Sequence, residues 1–353
     1  MTKRRSLVLA ALAALTGCVL VLAFWHRSGP EGVAPGDMDA AAADSSDRQP
    51  SPAPARPTPA SDLPLPPLEM PLALALASLE AQAEAGVPAA ACRLAAEFQN
   101  CLALKARREE MADWLSERRR AFELVTANGQ DTRLVDTFQR TFEEQLAQRE
   151  NGLAAHERRC EGVALPDEAG LLRRWRQAAL LGDPTAMRYY ASGTAFRWSN
   201  VLAAPDVQAA YRSEAASMAW SLARQGDLLM TLRLASATSS LTRYRPGLLD
   251  EVVEDDPALA LALYRRVLWA LKQDDRPDAT RLRNEIRLRI DLIRQVATPE
   301  QIGDAARRLR DLDAWDPLST QGLGRGTHLD GARLPASPAA CQHAGRPEAD
   351  MPG

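Results

Sequence analysis

The chain has 353 residues, 46% of them hydrophobic and 25% charged, with a formal net charge of −3. A sequence pI near 5.9 argues against general nucleic-acid binding, which needs a basic surface. Aromatic residues make up 5%, strand-like alternation is nearly absent, and Ala, Leu and Arg dominate the middle of the chain, so the folded part is expected to be all-α.

The first element is a basic cluster, Thr2-Lys3-Arg4-Arg5, ahead of an uncharged and almost wholly apolar run at 7–25. That run has about the ~20 residues a helix needs to cross a bilayer. Positive charge before it predicts a cytoplasmic N-terminus and an exported remainder. The expectation is a single transmembrane helix within a membrane anchor at 1–27: a bacterial inner-membrane, single-pass protein with a periplasmic body. Leu15-Thr16-Gly17-Cys18 resembles the bacterial lipobox, which gives an alternative, a lipoprotein anchored at Cys18. The apolar run at 19–25 counts against it, because a mature lipoprotein usually turns polar soon after its cysteine. Residues 28–72 are dense in Pro and Ala, and the stretch Gln49-Pro50-Ser51-Pro52-Ala53-Pro54 can form neither helix nor core. They are expected to be a disordered linker.

The body is expected at 73–313. Its first copy of a recurring pattern is Ala83-Glu84-Ala85-Gly86, followed by Leu94-Ala95. The pattern returns in Ala179-Leu180-Leu181-Gly182 with Tyr190-Ala191, and in Ala223-Arg224-Gln225-Gly226 with Leu234-Ala235. Each glycine follows an apolar helical run and can take the left-handed backbone that ends a helix. Asp183 and Asp227 can then cap the next helix, and Pro184 suits its first turn. Alanines at matching distances let two antiparallel helices approach closely. Recurrence of this kind marks an array in which each helix pair buries its apolar face only against a neighbour.

Between the first two copies, residues 102–127 and 131–159 form long helical segments around the turn signal Asn128-Gly129. Apolar residues at helical spacing (Leu104, Met111, Leu115, Phe122; Val135, Phe138, Phe142, Leu146) predict an αα-hairpin inserted at 102–160. The hairpin returns Cys101 and Cys160 to the same end, which makes them a disulfide pair in an oxidising compartment, with Cys92–Cys160 as the rival. Cys92 cannot reach Cys101 along one continuous helix, since nine residues span ~13.5 Å against a Cα limit of ~7 Å. Cys341 is left in the tail, expected unpaired.

Gly182-Asp183-Pro184, Tyr190-Ala191-Ser192-Gly193, the run 218–227 and Asp255-Asp256-Pro257 with 258–264 together resemble the Sel-like repeat family, short-solenoid relatives of the tetratricopeptide repeat. The spacing from Gly226 to Tyr244 is longer than that from Gly182 to Tyr190, which implies an insertion in the later unit. The resemblance implies an α-solenoid that mediates protein–protein contacts, and it implies no activity. Further on, Leu282, Ile286, Ile290 and Ile293 form one helical stripe, and Thr298-Pro299-Glu300-Gln301 reads as a capping box opening a polar closing helix. Residues 314–353, rich in Gly and Pro, are expected to be a disordered tail.

The chemistry-bearing residues are sparse. His156 stands four before Cys160 on one helical face, but no second ligand pair accompanies it. Paired carboxylates such as Glu143-Glu144 lie side by side on a helix and point in different directions. No catalytic, cofactor or metal residues are assigned, and the chain is not expected to be an enzyme or to take a small-molecule substrate. The expected function is a membrane-tethered envelope scaffold that displays its repeat groove to a protein partner. Tyr189, Tyr190, Trp198 and Trp220 are candidate groove residues, with Tyr189 and Trp198 put forward for the interface and Tyr190 and Trp220 given a packing role. Alternatives are a cell-wall-acting hydrolase using Glu143 or Glu144, and a lipoprotein tether with no binding surface.

Overall fold

Three helix pairs of the body turn on the same local device, visible in a computed structural model that describes residues 64–127, 132–196, 203–239, 247–320, 323 and 337–342. The chain divides into units 1–56 and 57–353, and all described residues lie in the second. Helix α1 (Leu72–Glu84) turns at Gly86 into α2 (Pro88–Leu102). Helix α5 (Glu168–Leu180) turns at Gly182 into α6 (Pro184–Ala191), and α7 (Pro205–Arg224) at Gly226 into α8 (Leu228–Ala237). The three glycines have φ of 85°, 89° and 81°. At each turn the glycine N–H donates to the carbonyl of Ala83, Ala179 or Ala223, and the next N–H donates to the carbonyl one residue earlier. That pair of bonds is the Schellman helix stop. Asp183 and Asp227 then accept from the N–H groups of Ala186 and Met230, each at 2.8 Å, capping the second helix of their pairs.

The recurring small and large residues are the ones that pack. Ala83, Ala179 and Ala223 are buried, and so are Leu94-Ala95, Tyr190-Ala191 and Leu234-Ala235. Helix α2 packs on α1 and α5, α6 on α5 and α7, and α8 on α7 and α10 (Pro257–Ala270). The array closes with α11 (Pro277–Val296) and α12 (Pro299–Asp311) on α10, where Thr298 and Gln301 form a capping box. A four-residue helix, α9 (Leu249–Val252), lies against α7. Side-chain bonds join successive pairs. Gln99 accepts from Trp175 Nε1 at 2.8 Å and donates to the Tyr189 hydroxyl at 2.6 Å, so α2, α5 and α6 meet at one polar centre.

Helices α3 (Leu104–Ala127) and α4 (Thr132–Cys160) pack mainly on each other and contain no buried residue, so they stand off the array as an arm. A disulfide joins Cys101 to Cys160 at its base. Beside it, fully buried Glu97 accepts from Arg93 at 3.4 Å and from Arg159 Nε at 2.7 Å, while Arg93 also donates to the carbonyls of Pro66 and Pro67.

Beyond α12 and a 3-10 turn (Leu312–Ala314), the chain comes back across the array. Asp316 N donates to Arg224 O and Ser319 N to Gly226 O, both at 2.9 Å. Helix α13 (Pro338–Gln342) packs on α2 and α6, and Cys341 forms a disulfide with Cys92. These parts of the expected tail are therefore built into the body, through backbone pairing and a disulfide between residues 249 apart.

The expectation of a transmembrane helix ahead of this body is corrected. No helix among the described residues is long and apolar enough to cross a membrane. The long ones are heavily charged, as at Arg118-Arg119-Arg120, and the apolar α10 has only 14 residues. The run at 7–25 and Cys18 lie outside the described residues. Among the described residues the fold is all-α with two disulfides. The single-pass topology, the inner-membrane localisation, the membrane as partner and the tethered envelope function all rested on that helix and are withdrawn with it.

Candidate functional site

Of the interface residues expected from sequence, Tyr189, the one described, is not on the surface. Tyr189 is 5% exposed and stacks on Trp175 with ring centroids 4.4 Å apart. Tyr190 is fully buried beside Phe196 and Tyr211. Trp220 is half-buried edge-on to Trp315, and Trp198 lies outside the described residues. Tyr189 is thus corrected from interface to core: its side of α6 faces α5, and helical spacing alone does not say which aromatic side the neighbour covers. His156 sits with Nδ1 3.4 Å from an Arg107 nitrogen, and burial followed by that guanidinium lowers its pKa. Cys160, its companion in the half-site considered above, is in a disulfide. Glu143 and Glu144 are on the exposed arm.

The exposed aromatic anchor is elsewhere. Helix α10 buries every residue from Ala260 to Tyr264, and in its last turns Val267 stays buried while Arg265 and Trp269, four residues apart, stand on another side. Trp269 is 78% exposed, the highest value among the exposed large hydrophobic residues described. It stands between two cavities. One, of about 510 Å³, is lined by Arg265, Lys272, Arg283 and Arg287 with Leu268 and Trp269, and has no carboxylate in its lining. The other, of about 520 Å³, lies between α10, α12 and the returning segment, with Trp269, Leu309, Trp315 and Leu318 as apolar walls and Asp313 as its carboxylate.

The charge on this face is poorly neutralised. Arg283 is held in place by bonds to the carbonyls of Leu271 and Asp274, both at 2.6 Å, and Arg287 by Asn284 at 3.2 Å. Among the described residues Arg265 and Lys272 have no carboxylate partner. Burial, and then the nearby Arg294, lower the pKa of Arg265. On α11, Leu288 and Leu292 follow Asn284 at four-residue steps and are 60% and 37% exposed, so an apolar strip continues from the first cavity. The arrangement has no pair of groups poised for proton transfer. It offers a flat apolar anchor, an apolar strip and surplus positive charge. Compared with protein-family models, curated proteins and solved structures, the chain matches none.

The sequence contained a signal for Trp269. It falls on the arginine side of an otherwise apolar helix, four after Arg265 and three before Lys272, where a core tryptophan would not stand. The alanine-leucine run Pro257-Ala258-Leu259-Ala260-Leu261 masks that asymmetry by reading as wholly buried.

Proposed function

We propose that the body is a helical-repeat interaction module that holds an acidic segment of a partner protein, anchored by a large apolar side chain, in the groove around Trp269. One observation carries this reading: a 78%-exposed tryptophan between two cavities, with Arg265 and Lys272 beside it lacking carboxylate partners among the described residues. Tryptophan and arginine are the residues that most often dominate protein interfaces. Unpaired cations select an acidic partner and speed its encounter. The resemblance to Sel-like repeats supports the same reading, because such arrays present surfaces rather than reaction centres.

The test is a binding titration with fluorescein-labelled peptides that share one apolar anchor and differ in flanking charge. Acidic peptides are expected to bind and basic ones not, with affinity falling as salt rises. Trp269→Ala should weaken the acidic peptides at least about ten-fold, the ordinary cost of losing an interface anchor. Equal binding of acidic and basic peptides, or an unchanged affinity in Trp269→Ala, would sink the proposal.

A further inference from the structure

Cys92 of α2, Asp183 at the start of α6 and Cys341 of α13 meet at one point, with both sulfurs and a carboxylate oxygen all within 4.8 Å of one another. Both cysteines are fully buried and Asp183 is 1% exposed. Asp183 uses Oδ1 to cap α6, but its buried Oδ2 has no hydrogen-bond partner. Buried carboxylate oxygens are normally satisfied. The disulfide beside the Asp183 carboxylate offers it no donor, because the bridge carries no proton. Against the two thiols of the reduced pair it would find one. The same cradle therefore suits both redox states only if Asp183 gains or loses a proton as the sulfurs do.

We propose that Cys92–Cys341 is a thiol–disulfide exchange site for an external dithiol, with Asp183 as its proton donor and acceptor. A thiolate of the dithiol attacks Cys341 Sγ, forming a mixed disulfide and breaking the Cys92–Cys341 bond. The Cys92 sulfur leaves with the electron pair and takes the proton of the Asp183 carboxylic acid. The second thiolate of the dithiol then attacks the mixed disulfide and releases Cys341, which is protonated from water. The dithiol ends as a disulfide, the protein as two thiols, and Asp183 recovers its proton from solvent. Oxidation is the reverse, with the Asp183 carboxylate taking the Cys92 proton.

On this proposal Cys341, buried in the resting structure, is the sulfur attacked, because its helix is the more weakly tied of the two. Helix α13 has five residues, and its described polar ties to the array are Thr185 Oγ1 to Ala340 O at 3.2 Å and Gln342 Nε2 to Pro66 O at 3.4 Å. Cys92 is fixed in the core of a 15-residue helix. Burial raises the Asp183 pKa to about 6, against the backbone bonds from Ala186 and Thr185 and the charge of Arg188. Arg188 is itself paired with Asp227 at 2.5 Å. Asp183 therefore changes protonation where a thiol reaction can use it.

The test follows reduction of the full chain by dithiothreitol between roughly pH 5 and pH 8, quenched by alkylation, with each cysteine quantified by peptide mass spectrometry. Expressed per dithiothreitol thiolate, the rate at Cys92–Cys341 should fall as pH rises through about 6, and that at Cys101–Cys160 in the same molecules should not. That internal comparison needs no substitution. Asp183→Asn, which can keep the helix cap, should lower the acid-side rate at least about ten-fold and flatten the profile. A wild-type profile that is the same for both disulfides, or an Asp183→Asn protein with the wild-type rate and profile, would overturn the proposal.

Discussion

Gly182 and Gly226 end their helices with nearly the same backbone, at φ of 89° and 81°, yet their surroundings differ. A Cβ on Gly182 would meet nothing within 4 Å, whereas one on Gly226 would lie 2.2 Å from the Pro317 carbonyl oxygen. Gly182→Ala should therefore cost only the left-handed penalty of about 1–2 kcal/mol. Gly226→Ala should cost clearly more and loosen the returning segment, as read by urea unfolding and by proteolysis near residue 317. Asp183 makes a pH prediction whose sign follows from its raised pKa. The folded chain keeps the proton between the ordinary aspartate value of 3.8 and about 6, so stability declines as pH rises through that window. The decline is on the order of 2–3 kcal/mol, and urea titrations of Asp183→Asn should lack it. How legible such residues were in the sequence depended on range. The cap of Asp183 acts over three residues and could be read. Its unpaired oxygen depends on Cys92 and Cys341, far away in the chain, and could not.

At the scale of the element, the arm and the helix pairs are stabilised in different ways. The pairs bury leucines such as Leu94, Leu172 and Leu234 completely, each contributing about 1.5–3 kcal/mol. The arm has only a half-open seam, in which Trp114 stacks on Phe142 at 5.6 Å and lies under Arg149 at 4.6 Å. Amide exchange should therefore be at least about ten-fold faster along α3 and α4 than along α2 and α10. Uniform protection across arm and body would contradict this picture. The Cys101–Cys160 bridge holds the base of the arm, and replacing both cysteines by serine should lower stability by up to about 4 kcal/mol on the chain-entropy model. The turn signal Asn128-Gly129 lies outside the described residues, and the helices of the arm on either side of it were readable from their periodicity. Their lack of burial was not, because a stripe of Met, Phe and Leu looks the same whether or not a third layer covers it.

At the scale of the whole molecule, two long-range ties join distant parts of the described body. The Cys92–Cys341 bridge and the pairing of 316–319 with the Gly226 turn hold residues 316–319 and 338–342 against α2, α6 and α7. The Glu97 cluster ties the segment around Pro66, α2 and α4 together. Glu97→Ala would leave Arg93 buried without its carboxylate, and should lower stability by about 3–5 kcal/mol in thermal unfolding. In the sequence Arg93 and Glu97 are only an oppositely charged pair four apart. The fully buried state of both comes from chain segments folded over them, which no local pattern records. The same holds for the groove, since Trp269 is exposed only because α11, α12 and the returning segment leave it uncovered. The most direct measurement is a charge exchange at that groove. Acidic and basic anchored peptides would be titrated against the wild-type chain and against the double variant Arg265→Glu with Lys272→Glu. The account predicts that the wild type selects the acidic peptide and the variant the basic one. Unchanged selectivity in the variant would contradict it.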